Sequence, residues 1–257
     1  MRGIRGNFGK WLGGALVSML AVAAAQRGEA ADITVLMVPP VQRVVPSLAG
    51  AFQRETGHDV SMSFTAVRYM REVIAGDAVD VVILADNALD EMVKDGVVLP
   101  GTRTDIARVG LGVIVRQGTP LPNISTPLAL RQALVSARSI TYVNPAIGIG
   151  GAHFEGVLQR LGIAEAVKPK TLLVTGGSAA AEAVARGDAA LGVQATSDAR
   201  DVKGVAFVGP LPAELQKVFT FSAGVTARSH SPDAARSFIA FLARPSSKAK
   251  FAEAGLN

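Results

Sequence analysis

The sequence predicts an α/β protein folded as two lobes. Short apolar runs alternate with stretches whose apolar residues recur at helical spacing, as in parallel sheets covered by helices on both faces. Two long apolar strands, 109–116 and 218–227, flank a self-contained α/β block and read as crossovers between lobes. The 257-residue chain, less a leader of about 30 residues, is long enough for one large sheet or for two lobes. The crossovers favour two: 31–112 plus 222–257 as the first, 113–221 as the second.

The elements follow in order. The run 33–38 (ITVLMV) reads as a buried strand. Val45, Leu48, Ala49 and Phe52 then mark one helix face at i, i+3, i+4, i+7. Pro46 cannot sit deep in that helix, so the regular part starts near it. Residues 59–64 form a strand, 68–76 a short helix ending at Gly76, and 79–85 another strand. Leu89, Met92 and Val93 mark the next helix. Beyond the first crossover, 139–143 is a strand leading into a glycine loop, and Phe154, Val157, Leu158 and Leu161 form a helix face. Segments 171–175, 178–187 and 189–195 repeat strand, helix, strand. After the second crossover two helices close the chain, the first with Ala235, Phe238, Ile239 and Leu242 on one face.

The first thirty residues read as an export signal. Arg2, Arg5 and Lys10 precede a run from Trp11 to Ala25 and a small-residue exit. Fifteen residues fall short of the roughly 20 that span a bilayer. Cleavage is expected after Ala30 or after Ala25, giving a periplasmic protein. The leader also distorts the charge. It holds four of the 26 basic residues and one of the 21 acidic ones, so the remainder carries 22 against 20. That balance, with no basic block interleaved with aromatics, excludes a nucleic-acid footprint. Cysteine is absent, which excludes thiol catalysis, a lipidated cysteine anchor and cysteine metal sites. No cofactor or metal site is expected.

Several segments together carry a family resemblance: ITVLMV, LAGAFQRETGHDV, REVIAGDAVDVVILAD, GVLQRLGI and EAVARGDAALGVQATSDA. Nearly all of 32–256 resembles the periplasmic solute-binding proteins of ABC importers, in the branch that includes molybdate-binding protein. The resemblance implies a type II periplasmic-binding-protein fold, with two α/β lobes, a hinge and a ligand cleft. It also implies an ABC permease as partner, and a monomer is expected. Molybdate binders hold their oxyanion with serine hydroxyls, backbone N–H groups and a tyrosine. Here the serine positions fall at or beside Pro40 and near Ala66–Val67, the tyrosine position is Ala195, and the loop alanine corresponds to Gly150. Gln42, Arg43, Arg68 and Tyr69 stand nearby instead. A guanidinium matches a carboxylate with two parallel bonds, which points to a small organic anion.

Loops at the carboxyl ends of strands face the ligand in open α/β sheets. The first candidate loop carries Pro40, Gln42 and Arg43, with Arg43 either in the cleft or on the surface. The second carries Arg68 and Tyr69 at a helix start, where the helix field adds to the guanidinium charge. The third is NPAIGIGGAH. It lacks the Lys and Ser/Thr of a P-loop, and His153 breaks a GxGxxG pattern. Gly148, Gly150 and Gly151 are placed to let backbone N–H groups approach an anion; for Gly150 and Gly151 a turn with positive φ is the other reading, compatible with the first. His153 reads as a satisfied histidine or as a cleft acid/base. The fourth group is Gly177 and Ser178 with Gln194, Thr196 and Ser197. Ser178 reads first as an N-cap, and Thr196 and Ser197 as a cap for a short helix.

The main expectation is therefore capture of a small anion, a di- or tricarboxylate, for ABC-type uptake. The alternative is an isomerase on the same fold, resembling a periplasmic aconitate isomerase. There Arg43 and Arg68 would clamp the substrate, and His153 or Tyr69 would be the catalytic base. Binding of molybdate or a similar oxyanion is third.

Overall fold

The computed structural model describes residues 30–198 and 202–256. The expected leader lies outside the described residues, apart from Ala30. Among the described residues no helix is long and apolar enough to cross a membrane.

The chain begins with β1 (Asp32–Met37), α1 (Val45–Thr56), β2 (Asp59–Phe64), α2 (Val67–Gly76), β3 (Val81–Ala85), α3 (Asp86–Lys94) and β4 (Thr104–Val109). It continues through β5 (Leu111–Arg116), α4 (Pro127–Ser136), β6 (Ile140–Val143), α5 (Ile149–Arg160), α6 (Ala164–Val167), β7 (Thr171–Val174), α7 (Gly177–Arg186), β8 (Leu191–Ala195) and β9 (Val205–Pro210). It returns as β10 (Phe219–Val225) and ends with α8 (Pro232–Leu242) and α9 (Pro245–Glu253). Two five-stranded sheets result, ordered β2-β1-β3-β10-β4 and β7-β6-β8-β5-β9.

Neither sheet is wholly parallel, which corrects the expectation. β10 runs antiparallel to β3 and β4, and β5 runs antiparallel to β8 and β9. The cause is the route of the chain. β4 leaves the first sheet at its carboxyl edge, and after Gly110 alone β5 starts in the second sheet. A strand arriving at the facing edge must run away from it, hence against its parallel neighbours. β10 arrives the other way and is reversed for the same reason. The carboxyl ends of the parallel strands in the two sheets therefore face each other across the crossovers, where ligands bind in open α/β folds.

The run 109–116, expected as one strand, is thus two strands meeting at Gly110. Gln216, on the return segment, holds this point. The Leu111 N–H donates to its Oε1 (2.9 Å), and its Nε2 donates to the Leu111 carbonyl (2.7 Å). A Cβ at Gly110 would press on the Gln216 amide, about 3.1 Å away. The glycine leaves room for the side chain that fixes the crossover.

The helical periodicities correspond to buried faces. Val45, Leu48, Ala49 and Phe52 of α1 are all buried, as are Ala235, Phe238, Ile239 and Leu242 of α8. Phe52 meets Phe238 and Phe241 edge-on, with ring centroids 5.2 and 5.4 Å apart. Burying each ring contributes about 2–3 kcal/mol, so this contact fixes the closing helices to the first sheet. Helix α1 starts at Val45 with proline in its first turn, and Gly57 ends it at φ 82°, a conformation that costs glycine little.

Candidate functional site

On the first lobe, the segment after β1 folds into a 3-10 turn, Pro39–Val41, whose carbonyl at Pro39 accepts from the Gln42 N–H. Pro40 is half-exposed on this turn, and Gln42 and Arg43 are exposed beside it. Arg43 leaves the lobe. Its Nη2 donates to the Ser178 hydroxyl of the second lobe at 2.7 Å. Of the two arginines expected at the cleft, this one reaches across it. Arg68 does not reach across. It lies on the first turn of α2 with its guanidinium 4.6 Å from the Tyr69 ring centroid, and Tyr69 is 47% exposed. With Phe64 the pair forms an exposed lip at the end of the edge strand β2.

On the second lobe, α7 begins after Gly176, its N-cap, which has no side-chain cap bond. Ser178 is therefore not the cap, contrary to expectation. It lies one position inside the helix, and its hydroxyl accepts from Arg43. The Ala180 N–H donates to the Gly176 carbonyl at 3.2 Å, so helix geometry leaves the N–H groups of Gly177, Ser178 and Ala179 without intrahelical acceptors. A Cβ on Gly177 would collide with the Asp198 carboxylate. Gly177 thus allows an acid to sit against a helix N-terminus, where negative charge is favoured.

Asp198 is half-buried. Burial pushes its carboxyl above the ordinary value near 3.8, and the Arg43 charge acts in the opposite sense without cancelling the rise. The sequence reading did not select Asp198. Its signal was the acid inside TSDA, quoted only as part of the resemblance.

Behind this turn, Gln194 lies on the face of β8 covered by α7. Gly192, two positions earlier on the same face, would meet Val184 of α7. Gln194 is 3% and Ser197 5% exposed. Neither the Gln194 amide nitrogen and oxygen nor the Ser197 hydroxyl has a partner among the described residues. An unpaired buried polar group costs about 1–3 kcal/mol, so these are groups that a ligand or ordered water would satisfy. Thr196 is differently placed. Its N–H donates to the Gly110 carbonyl (3.0 Å) and its hydroxyl to the Gly255 carbonyl (3.1 Å). The first bond serves the crossover and the second ties this turn to the segment after α9. Residues 199–201, where a short helix capped by Thr196 and Ser197 would run, lie outside the described residues.

The glycine loop opens α5. Asn144 organises it, accepting from the Ala146 N–H through its side chain and from the Ile147 and Gly148 N–H groups through its carbonyl. None of Gly148, Gly150 and Gly151 has positive φ, so the turn reading is not the reason for them. Closeness is. A Cβ on Gly151 would strike the Val143 carbonyl, on Gly148 it would meet Val143 Cγ1 at 2.6 Å, and on Gly150 it would lie 3.1 Å from Leu111 Cδ2. The glycines seat α5 directly on the end of β6, with the N–H groups of Ile149, Gly150 and Gly151 at its start. His153, half-buried one turn on, places Nε2 2.8 Å from the Leu215 carbonyl. A carbonyl only accepts, so Nε2 carries the proton and ties α5 to the return crossover. That use occupies the nitrogen a catalytic base would need free, leaving Nδ1.

A separate surface hollow of about 490 Å³ lies between Leu121–Ser125 and Val208–Ala213. None of its lining side chains is charged.

Two α/β lobes joined by two crossovers, with helix N-termini and an arginine at their facing edges, are the architecture of a two-lobed binding-protein fold. The family model for bacterial extracellular solute-binding proteins matches residues 33–257, and the chain belongs to that family. Among curated relatives, an aconitate isomerase from Pseudomonas sp. is 29% identical over 251 residues, covering 95% of this chain and 94% of that protein. The molybdate-binding protein ModA of Escherichia coli (strain K12) is 26% identical over 242 residues, covering 92% and 93%. Among solved structures, a substrate-binding domain assigned to a molybdenum ABC transporter of Clostridium difficile superposes with a TM-score of 0.78 at 16% identity, covering 89% of this chain and 99% of that one. It bears on the fold alone.

Proposed function

We propose that this protein works in the periplasm, where it captures a small organic polyanion, a di- or tricarboxylate, and presents it to an ABC permease. The carrying observation is the Arg43 guanidinium spanning the cleft to Ser178. A ligand held by Arg43 from one lobe and by the N–H groups of α5 and α7 from the other contacts both lobes at once. It therefore favours the closed arrangement over the open one. The lobes, whose bounds we place at Gly110 and between β9 and β10, would move about those crossovers. The match of guanidinium to carboxylate geometry supports the ligand class, and so does the aconitate isomerase among the relatives.

Conversion instead of delivery is the second reading. That relative supports it, as does a half-buried carboxyl with raised pKa at the cleft, a feature frequent at catalytic sites. Here Arg43 and Arg68 would hold the carboxylates while a base removes a proton beside one of them.

Thermal shift with cis- and trans-aconitate, citrate, malate, sulfate and molybdate tests the ligand class. A tricarboxylate at a hundredfold excess over Kd is expected to stabilise by about 2.7 kcal/mol, roughly 5–10 °C for a chain of this size. A response to molybdate alone would refute the carboxylate reading. Incubation with cis- or trans-aconitate, followed by chromatography, separates conversion from capture.

A further inference from the structure

We propose that Asp198 shares one proton with the bound ligand, so that the cleft takes up a carboxylate together with a proton from solvent and disfavours an oxyanion too weakly basic to share it. This rests on the carboxylate reading above.

The geometry places three features at one point. Asp198 fills the space a Gly177 side chain would occupy, at the start of α7. Arg43 reaches Ser178, the next residue, from the other lobe. Gln194 and Ser197, buried and unpartnered, flank the same turn. Two strand residues advance about 7 Å, equal to four or five helix residues, so Gln194 lies nearer the α7 start than Val184, which Gly192 faces.

A ligand carboxylate is drawn to Arg43, whose charge already acts on Asp198, and to the start of α7, against which Asp198 sits. Two carboxylates competing for one arginine in a partly desolvated site do not both stay ionised. One holds a proton and donates it to the other. The Gln194 amide and Ser197 hydroxyl can donate or accept, so they accommodate either arrangement. Among the described residues, the groups around Asp198 leave few other sources of charge. Arg43 acts from the first lobe, while Gly177 and Ser178 on α7 and Gln194, Thr196 and Ser197 at the end of β8 are uncharged. Among the described residues Arg43 is the charged group acting on Asp198. Burial already favours its protonated form. A carboxylate oxygen, about as basic as Asp198 itself, can share that proton, whereas sulfate, a far weaker base, gains little from it.

Calorimetry with trans-aconitate, run at the same pH in two buffers of different ionisation enthalpy, counts the protons taken up. The wild type is expected to take up a substantial fraction of one proton more than Asp198→Asn. Its affinity should rise by up to about tenfold for each unit the pH falls. In Asp198→Asn that slope should flatten to the ligand's own titration, and sulfate should gain affinity relative to the carboxylate. Equal proton counts and equal slopes in the two proteins would overturn the proposal while leaving the carboxylate reading intact. Failure of the wild type to bind any carboxylate would remove that reading and this proposal together. If the variant does not fold, zero net uptake by the wild type still refutes the proposal, and uptake beyond the free ligand's own titration supports it.

Discussion

The second lobe contains two helix starts that look alike in sequence and differ in what their glycines accommodate. Gly151 lies against the Val143 carbonyl, so α5 is seated on backbone. Gly177 lies against the Asp198 carboxylate, so α7 is seated on a side chain that can move, titrate or be replaced. Backbone cannot yield without shifting β6 or α5. The first start is fixed by construction, and the second is conditional on the state of one acid.

The largest expected effect tests the fixed start. Elsewhere in a helix, Gly→Ala gains up to about 1 kcal/mol from propensity. Gly151→Ala should instead lose about 3 kcal/mol or more through overpacking against backbone, lowering Tm by roughly 6–12 °C in thermal denaturation. A variant as stable as wild type would break the contrast. Next, Arg43→Ala removes a charged donor from the conditional start. Affinity for the best carboxylate should fall by about 2–3 kcal/mol, roughly 30- to 150-fold by calorimetry, with little change in the free protein's Tm. Gly177→Ala should cost about 2 kcal/mol by crowding Asp198, yet less than about 0.5 kcal/mol when made in Asp198→Ala. Additive losses in that double-mutant cycle would show that Asp198 is not the obstacle.

The smallest effect is the pH dependence of the free protein. Asp198 has a folded-state pKa above its ordinary value near 3.8. The folded protein therefore binds more protons than the unfolded chain between those two values. Its contribution to stability grows as pH falls through the raised pKa, is complete below about 3.8, and is lost as pH rises again. Subtracting the Tm-against-pH curve of Asp198→Asn from that of wild type should expose this slope. A difference of opposite sign would mean that Arg43 outweighs burial.

Much of the fold was legible because it rests on local periodicity. The stripes beginning at Val45 and Ala235 specify helices whatever they pack against. β4, β9 and α4 were not read. In β4, exposed Arg108 interrupts buried Ile106, Ala107 and Val109, so the alternation is lost. α4 offers only Leu130 and Leu134 as a buried stripe, behind a Thr126 cap that accepts from the Ala129 N–H. The reversal of β5 and β10 was hidden because strand direction depends on chain routing, which no stretch of residues encodes alone. At the candidate site, the loops were found by their position after strands. The joining of Arg43 to Ser178, 135 residues apart, is a tertiary fact. Gln216 and Asp198 were missed for the same reason. Nothing in their neighbourhoods distinguishes an amide that holds a crossover, or an acid that seats a helix, from a solvated side chain.

Each sheet owes one interior strand to a passage through the other half of the molecule. Cutting the chain once, at any point, cannot release two complete bodies. A fragment ending before Phe219 would leave β3 and β4 with no strand between them, and one beginning after Gly110 would carry β10 with no sheet to enter. Heat should therefore melt the halves in one cooperative transition, and neither should be recoverable as a stable product of limited proteolysis.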